Sequence, residues 1–243
     1  MQDVEVKPVH SPIGASSMHR WANCPGSVAL SQNIPSKTSE AASLGTLAHE
    51  IADKFFQTGI LAHENKALVQ SAKKYVSFIL KNTKTATYKR SEVAFDLKAI
   101  HPNLYGRCDY VAYFARKKIL RVYDFKNGQS PVDPEQNDQL LYYALGAVIN
   151  FPQFKIREIE LVIVQPNCKT RSKTIRKWRF DAFEVMLPFA IRLKNAAIAT
   201  EQTNAPLSMG SWCFWCPASF KCPLKQKERE EKAKNIFANL EDF

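Results

Sequence analysis

"YGRCDYVAYFARKKILRVYDFKNG", residues 105–128, reads as two short strands folded into a hairpin. If the connection is symmetric about Arg116-Lys117, whether it holds two residues or four, Asp109 lies opposite Asp124. Side chains alternate along a strand, so Asp124 and Lys126 share a face and Phe125 points away. Two carboxylates and an ammonium then converge on one spot. Facing carboxylates repel, so a cation is expected between them, and a divalent metal beside a lysine that serves a nucleophilic water fits. Asp-x-Lys on a strand is common at solvated surfaces. Here, however, it ends the apolar run "ILRVYDF", and Asp109 interrupts Cys108, Tyr110, Val111, Ala112, Tyr113 and Phe114. Charges buried there without partners would be costly.

Outward from the hairpin, strands are predicted near 88–97, 106–114 and 119–126. Before them, "SLGTLAHEIADKFFQT" predicts a helix over 43–58, capped by Ser43 and stopped by Gly59. "ENKALVQSAKKYVSFILKN" predicts a second, with Leu68, Ala72, Tyr75, Ile79 and Leu80 near one stripe. After the hairpin, "PEQNDQLLYYALGAVIN" reads as a helix opened by Pro134. "REIELVIVQPN" is a strand expected to pair with "TIRKWRF". "DAFEVMLPFAIRLKNAAIATEQ" is a helix kinked at Pro188, and "KQKEREEKAKNIFANL" a charged one. Residues 1–15 read as loose, followed by short helical turns broken at Pro25-Gly26. This order gives an α/β fold, a mixed central sheet flanked by helices, with the helix after the hairpin as a crossover into the next strand.

The 243 residues can bury a full core, and 45% hydrophobic and 11% aromatic content mark an ordered globular chain. No apolar stretch reaches membrane-spanning length and "MQDVEVKPVH" lacks a secretory hydrophobic segment, so no membrane and a cytoplasmic location are expected. Net charge is +11, with 34 Lys and Arg against 23 Asp and Glu, which favours a polyanionic partner, nucleic acid above all. The cations gather in "KNTKTATYKR", "FARKKILR" and "NCKTRSKTIRKWR", as if lining a groove on both sides.

Six cysteines in such a chain favour metal binding, packing or redox roles over disulfides. Cys213, Cys216 and Cys222 form a C-x2-C-x5-C cluster that needs a fourth ligand. Cys108 lies on the hairpin strand and Cys168 in a basic loop. Cys24, followed by proline as Cys216 and Cys222 are, is the natural closing ligand and would clip the two ends of the chain together. Both zinc and an iron–sulfur cluster suit these ligands. Trp212, Phe214, Trp215 and Phe220 are expected to shield such a group from water.

In this order the motifs resemble the PD-(D/E)XK nuclease superfamily, and within it the RecB-like branch with iron–sulfur cysteines, which includes phage-type recombination exonucleases. The matching residues are His49 in "GTLAHEIAD", Gly106 to Asp109, the triplet Asp124-Phe125-Lys126, Gln139 to Tyr143, and the split cysteines, one early and three late. The chain departs from the pattern in having Arg107-Cys108, with no proline, before Asp109.

The resemblance implies a restriction-endonuclease-like core over residues 16–200 and a cysteine-bearing lobe over 201–243, closed by Cys24. It implies a Mg2+- or Mn2+-dependent deoxyribonuclease, an exonuclease on single- or double-stranded ends, in DNA recombination or processing. The alternative is a non-catalytic nucleic-acid-binding subunit with a structural iron–sulfur or zinc site. Asp109, Asp124, His49 and the Phe125 carbonyl would hold the catalytic metal. Lys126 would activate water, with Gln139 and Tyr143 positioning Lys126 or the phosphate. Cys24, Cys213, Cys216 and Cys222 would hold a [4Fe–4S] cluster, with zinc as alternative. Glu92 is an outlying acid. DNA is the implied partner, with a recombinase or annealing protein beside it, in the cytoplasm of a bacterial host if the chain is phage-encoded. His10, His19, His63 and His101 match nothing in the pattern.

Overall fold

A computed structural model describes residues 11–35, 39–170 and 173–241. His10 and most of the segment read as loose lie outside the described residues. A 3-10 turn at Ala15–Ser17 leads into two short helices, α1 (Met18–Trp21) and α2 (Gly26–Ser31), then α3 (Glu40–Thr58) and α4 (Lys66–Asn82). Three strands follow: β1 (Tyr88–Asp96), β2 (Tyr105–Phe114) and β3 (Ile119–Phe125). Then come α5 (Asp138–Asn150), β4 (Glu158–Val164), β5 (Ile175–Asp181), α6 (Ala182–Ala199) and α7 (Pro223–Glu241). The five strands form one sheet in the order β1-β2-β3-β4-β5. Among the described strands only β3 and β4 run parallel, joined over the top by α5, and the fold is the mixed α/β sheet expected.

The helix starts differ from expectation for a shared reason: a side-chain acceptor about one turn away, upstream for α3 and downstream for α5, supplies the cap. Ser39, not Ser43, accepts from the Ala42 N–H to open α3, and Asn137, not Pro134, accepts from Leu140 to open α5. Each such cap is worth about 1 kcal/mol. Gly59 ends α3 at φ 76, as its lack of a side chain allows. Leu80, assigned to the buried stripe of α4, is 45% exposed, because the buried face runs through Ala72, Val76, Ile79 and Thr83 and Leu80 lies about 100° round from Ile79.

The sheet separates two apolar layers. On one side α5, α6 and the N-terminal turns cover Val111, Leu120, Val122, Leu161 and Ile163. On the other α3 and α4 cover Tyr110, Ala112, Tyr123, Phe125 and Val164. Cys108 and Tyr110 are two residues apart, yet they belong to opposite layers. A regular strand would point them the same way. The alternation of β2 therefore slips at Asp109. On β1 the facing residue, Glu92, has φ 46, a conformation strained by about 1–3 kcal/mol in a residue with a side chain. The ladder pairs Ser91 with Tyr110 and Val93 with Cys108, and skips Glu92 and Asp109 between them. Two acids thus sit where the sheet is locally open.

Candidate active site

The hairpin register is the one the symmetric turn required. Tyr110 faces Tyr123 and Phe114 faces Ile119, which sets Asp109 level with Asp124. The ladder stops one step before that level. There the Phe125 N–H donates to Asp109 Oδ2 at 2.7 Å, so a side chain takes the place of the next backbone rung. Asp109 Oδ1 lies 3.3 Å from Nδ1 of His49 on α3. His49 is fixed by packing, its ring 5.2 Å from that of Phe125, which stacks on Tyr75 at 4.5 Å.

Asp124 and Lys126 share a face as predicted. Lys126 Nζ lies 3.1 Å from Asp124 Oδ1 and 3.0 Å from Oδ2. It also donates to Gln139 Oε1 at 2.8 Å, and Gln139 Nε2 donates to the Tyr143 hydroxyl at 3.1 Å. The four-residue spacing on α5 makes that last contact possible. Asp124 is 1% exposed, and its Oδ2, although close to the ammonium, has no well-directed hydrogen bond.

Glu92, His49 and Asp109 each offer a ligand atom, all within 4.8 Å of one another, and among the described residues no other such group forms. Asp124 stands outside this compact triad, turned to Lys126. Glu92 is therefore more central than its sequence context suggested. The signal lay in the register, because β1 places it level with Asp109. Phe125 meets Asp109 through its N–H.

The electrostatics follow from three acids and two bases crowded in a recess. Burial pushes Glu92 up, with help from the Asp109 and Asp53 charges, to about 7. Burial would lower His49, but the charge and hydrogen bond of Asp109 and the charge of Asp124 outweigh it and hold the imidazole at about 9. Burial first, with the Asp109 charge, raises Asp124 above the ordinary carboxylate value against the opposing Lys126 and His49. Asp109, also raised by burial, ends below the ordinary carboxylate value because His49 and Lys126 oppose that effect. Such a cluster of mutually perturbed groups is typical of functional sites.

The loop after Lys126 has its own support, which the sequence reading missed. Gln165 is fully buried and donates to the Gly128 and Ser130 carbonyls, each at 2.7 Å, and accepts from Val132 N–H at 3.3 Å. Ser71 of α4 donates to Asn127 Oδ1 at 2.8 Å and Asn167 Nδ2 to the same oxygen at 3.0 Å.

The sequence profile of a protein family of unknown function, DUF2800, matches residues 10–242. The chain belongs to the DUF2800 family. Among solved structures it is similar to SSO0001, at 16% identity over 91% of this chain and 90% of that one, TM-score 0.45. It is also similar to a phage-related exonuclease from Haemophilus somnus 129PT, at 14% identity over 76% of this chain and 91% of that one, TM-score 0.34. LHK-Exo in complex with dAMP matches at 11% identity over 75% of this chain and 90% of that one, TM-score 0.35.

In this DUF2800 chain Cys24, Cys213, Cys216 and Cys222 line one pocket, with Arg20, Ser27 and Trp212. Two distant stretches of the chain meet here: Gly26 N–H donates to the Pro206 carbonyl at 3.0 Å and Ser208 N–H to Cys24 Sγ at 3.4 Å. Cys108 and Cys168 are buried elsewhere. The expected aromatic shield is mostly absent, since Phe214, Trp215 and Phe220 are 79%, 80% and 63% exposed. Trp212 alone of the four lines the pocket. The two-sided basic groove also needs correcting. Arg116, Lys117 and Lys118 form the turn at the far end of the hairpin from Asp124, and the 81–90 segment enters β1 at that same end. Of the three basic clusters, the described part of the 167–179 one meets the loop after Lys126, with Lys169 N–H on the Gln129 carbonyl at 3.0 Å. Among the described residues no helix is long and apolar enough to cross a membrane.

Proposed function

We propose that this chain is a metal-dependent DNA nuclease, an exonuclease acting on ends in recombination or processing. The observation that carries the reading is the donor triad His49, Glu92 and Asp109 set beside the chain Asp124–Lys126–Gln139–Tyr143. The residues fit a Mg2+ or Mn2+ ion. Three ligand atoms already converge, and the buried Asp124 Oδ2 still has accepting capacity. When bound, such an ion supplies a Lewis acid to the phosphate and a lowered pKa to a water. The protein's part is then positional. Lys126, held by Asp124 and Gln139, offers its remaining N–H to the scissile phosphate, where negative charge develops. Phe125 and His49 restrain Asp109, and Tyr143 restrains Gln139.

The division of labour we propose is a catalytic core over 16–200 and a cysteine-bearing segment over 201–243 closed by Cys24. The four cysteines line one pocket, and we propose that they hold a [4Fe–4S] cluster, with zinc as the alternative. Protein purified without oxygen should be brown and carry iron and sulfide, whereas a colourless zinc protein retires the cluster.

The activity is tested with end-labelled single- and double-stranded DNA, with and without Mg2+ or Mn2+. The unmutated chain should shorten at least one of them, and Asp124→Ala should bind DNA without cutting it. If the unmutated protein degrades neither substrate with either metal, the enzyme reading fails and a DNA-binding subunit takes its place.

A further inference from the structure

The most exposed large apolar side chains of the described structure are Trp215, Phe214 and Phe183, at 80%, 79% and 75%. Two of them are adjacent on the loop that carries the late cysteines, and Phe220 stands nearby at 63%. The Phe214 and Trp215 rings meet edge to face, 4.7 Å between centroids and 85° between planes, so ring faces stay open to water.

The loop is held in shape from beneath. Phe214 N–H donates to the Ser211 carbonyl and Cys216 N–H to Cys213, each at 3.2 Å, and Trp212 Nε1 donates to Ser208 at 3.1 Å. Arg229 Nη2 of α7 donates to the Phe220 carbonyl at 3.1 Å. Rings presented on a braced loop lose little freedom when something lands on them.

The loop also stands beside the candidate active site. His19 Nε2 lies 3.1 Å from Ser211 Oγ, and its Nδ1 lies 3.7 Å from Asp138 Oδ2. Asp138 is the residue before Gln139, which holds Lys126. One histidine, unmatched by any motif, thus ties the aromatic loop to the first turn of α5.

Charge selects the occupant. From Ser211 to Arg229 the chain carries Lys221, Lys225, Lys227 and Arg229 against Glu228 alone. Lys221 is exposed next to Phe220. Aromatic rings among cations suit a polyanion with flat faces of its own, which an apolar protein partner lacks. We propose that the Phe214–Trp215 tip is a stacking platform for unpaired bases of single-stranded DNA beside the active site. The proposal rests on the nuclease reading for its place in the reaction but not for binding itself. Every base has a face to stack, so the platform is tolerant of sequence and selective for unpaired strands.

Binding is read by fluorescence in EDTA, where no cutting occurs. The probes are an oligothymidylate of about 20 nucleotides and a blunt duplex of about the same length. Phe214→Ala/Trp215→Ala should weaken the oligothymidylate by at least about tenfold while the duplex changes less than about twofold. Trp215→Phe should keep most of the affinity but lose the fluorescence quenching that the oligothymidylate causes. Melting curves check each fold, and if the double variant is unstable the Trp215→Phe quenching decides alone. Unchanged oligothymidylate affinity, equal loss on both probes, or quenching that survives Trp215→Phe overturns the platform. A chain that stacks the oligothymidylate but cuts nothing retires the nuclease reading only, and one that cuts but binds independently of the tip retires the platform only.

Discussion

Glu92→Gln should make the metal-free protein more stable and the metal-loaded protein less so. The Glu92 carboxyl is held at about 7 against an ordinary 4.5, by burial first and then by the Asp109 and Asp53 charges. A folded-state value above the unfolded one means that ionising Glu92 works against folding. The penalty is small below the unfolded value and complete above about 7. The interval from 4.5 to about 7 corresponds to about 3 kcal/mol at about 1.4 kcal/mol per unit. Glu92 is still 25% exposed, and solvent screening brings the figure to about 1.5–2 kcal/mol. For a chain of this length that is about 3–8 °C in Tm. Glutamine keeps the shape and the φ of 46, so backbone strain is unchanged and only charge is tested.

Thermal melts in EDTA and in Mn2+ measure both halves. In EDTA at about pH 8 the variant should melt above the parent, and the gain should fade as pH drops toward about 4. Mn2+ at about 100 times its Kd should stabilise the parent by about 2.7 kcal/mol, and most of that gain should vanish in the variant. A Glu92→Gln protein that melts below the parent in EDTA at about pH 8, or keeps the full Mn2+ gain, would refute the placement of Glu92 as a strained ligand.

Gln139→Ala removes the acceptor that holds Lys126 Nζ at 2.8 Å; kcat on DNA should fall about 10–100-fold with little change in DNA binding, and equal kcat would show that Lys126 needs no such restraint. Gly26→Ala puts a Cβ 2.5 Å from the Ala205 carbonyl and 2.8 Å from the Leu207 side chain; overpacking there should destabilise by about 1–3 kcal/mol, read by urea melts. Gln165→Leu leaves the Gly128 and Ser130 carbonyls without their donor; amide exchange over residues 127–132 should speed up well before global stability is lost.

The sheet was legible because its signals are local. Apolar patterning located every strand within two residues at each end except the end of β4, read to residue 167 but stopping at Val164, and the symmetry about Arg116-Lys117 set the register of β2 on β3. Helix stops were legible where one residue decides them, as at Gly59. Helix starts at Ser39 and Asn137 were not, because several polar residues near each start can cap and packing chooses among them. Cys24, Cys213, Cys216 and Cys222 line one pocket, and the signal in the sequence was the Cys-Pro that Cys24 shares with Cys216 and Cys222, whereas the exposure of Phe214 and Trp215 runs against the general tendency of such residues to be inside.

Glu92 shows why the remaining chemistry was hidden. Periodicity assigns a residue to a face only while the strand stays regular, and both β1 and β2 slip at the level of Glu92 and Asp109. Counting by twos from Tyr88 would send Glu92, not Val93, to the α5 face, but the core holds Tyr88, Val93 and Phe95 together. The residue that breaks the pattern is the one the site uses. A regular pair of strands would have left Glu92 and Asp109 opposed with their backbone rung intact. The skipped rung at φ 46 instead lets Glu92, Asp109 and His49 reach one point, and lets the Phe125 N–H spend itself on Asp109. The local irregularity is therefore a requirement of the donor triad, and straightening it, by restoring normal alternation at residue 92, should dissolve the site while leaving the sheet.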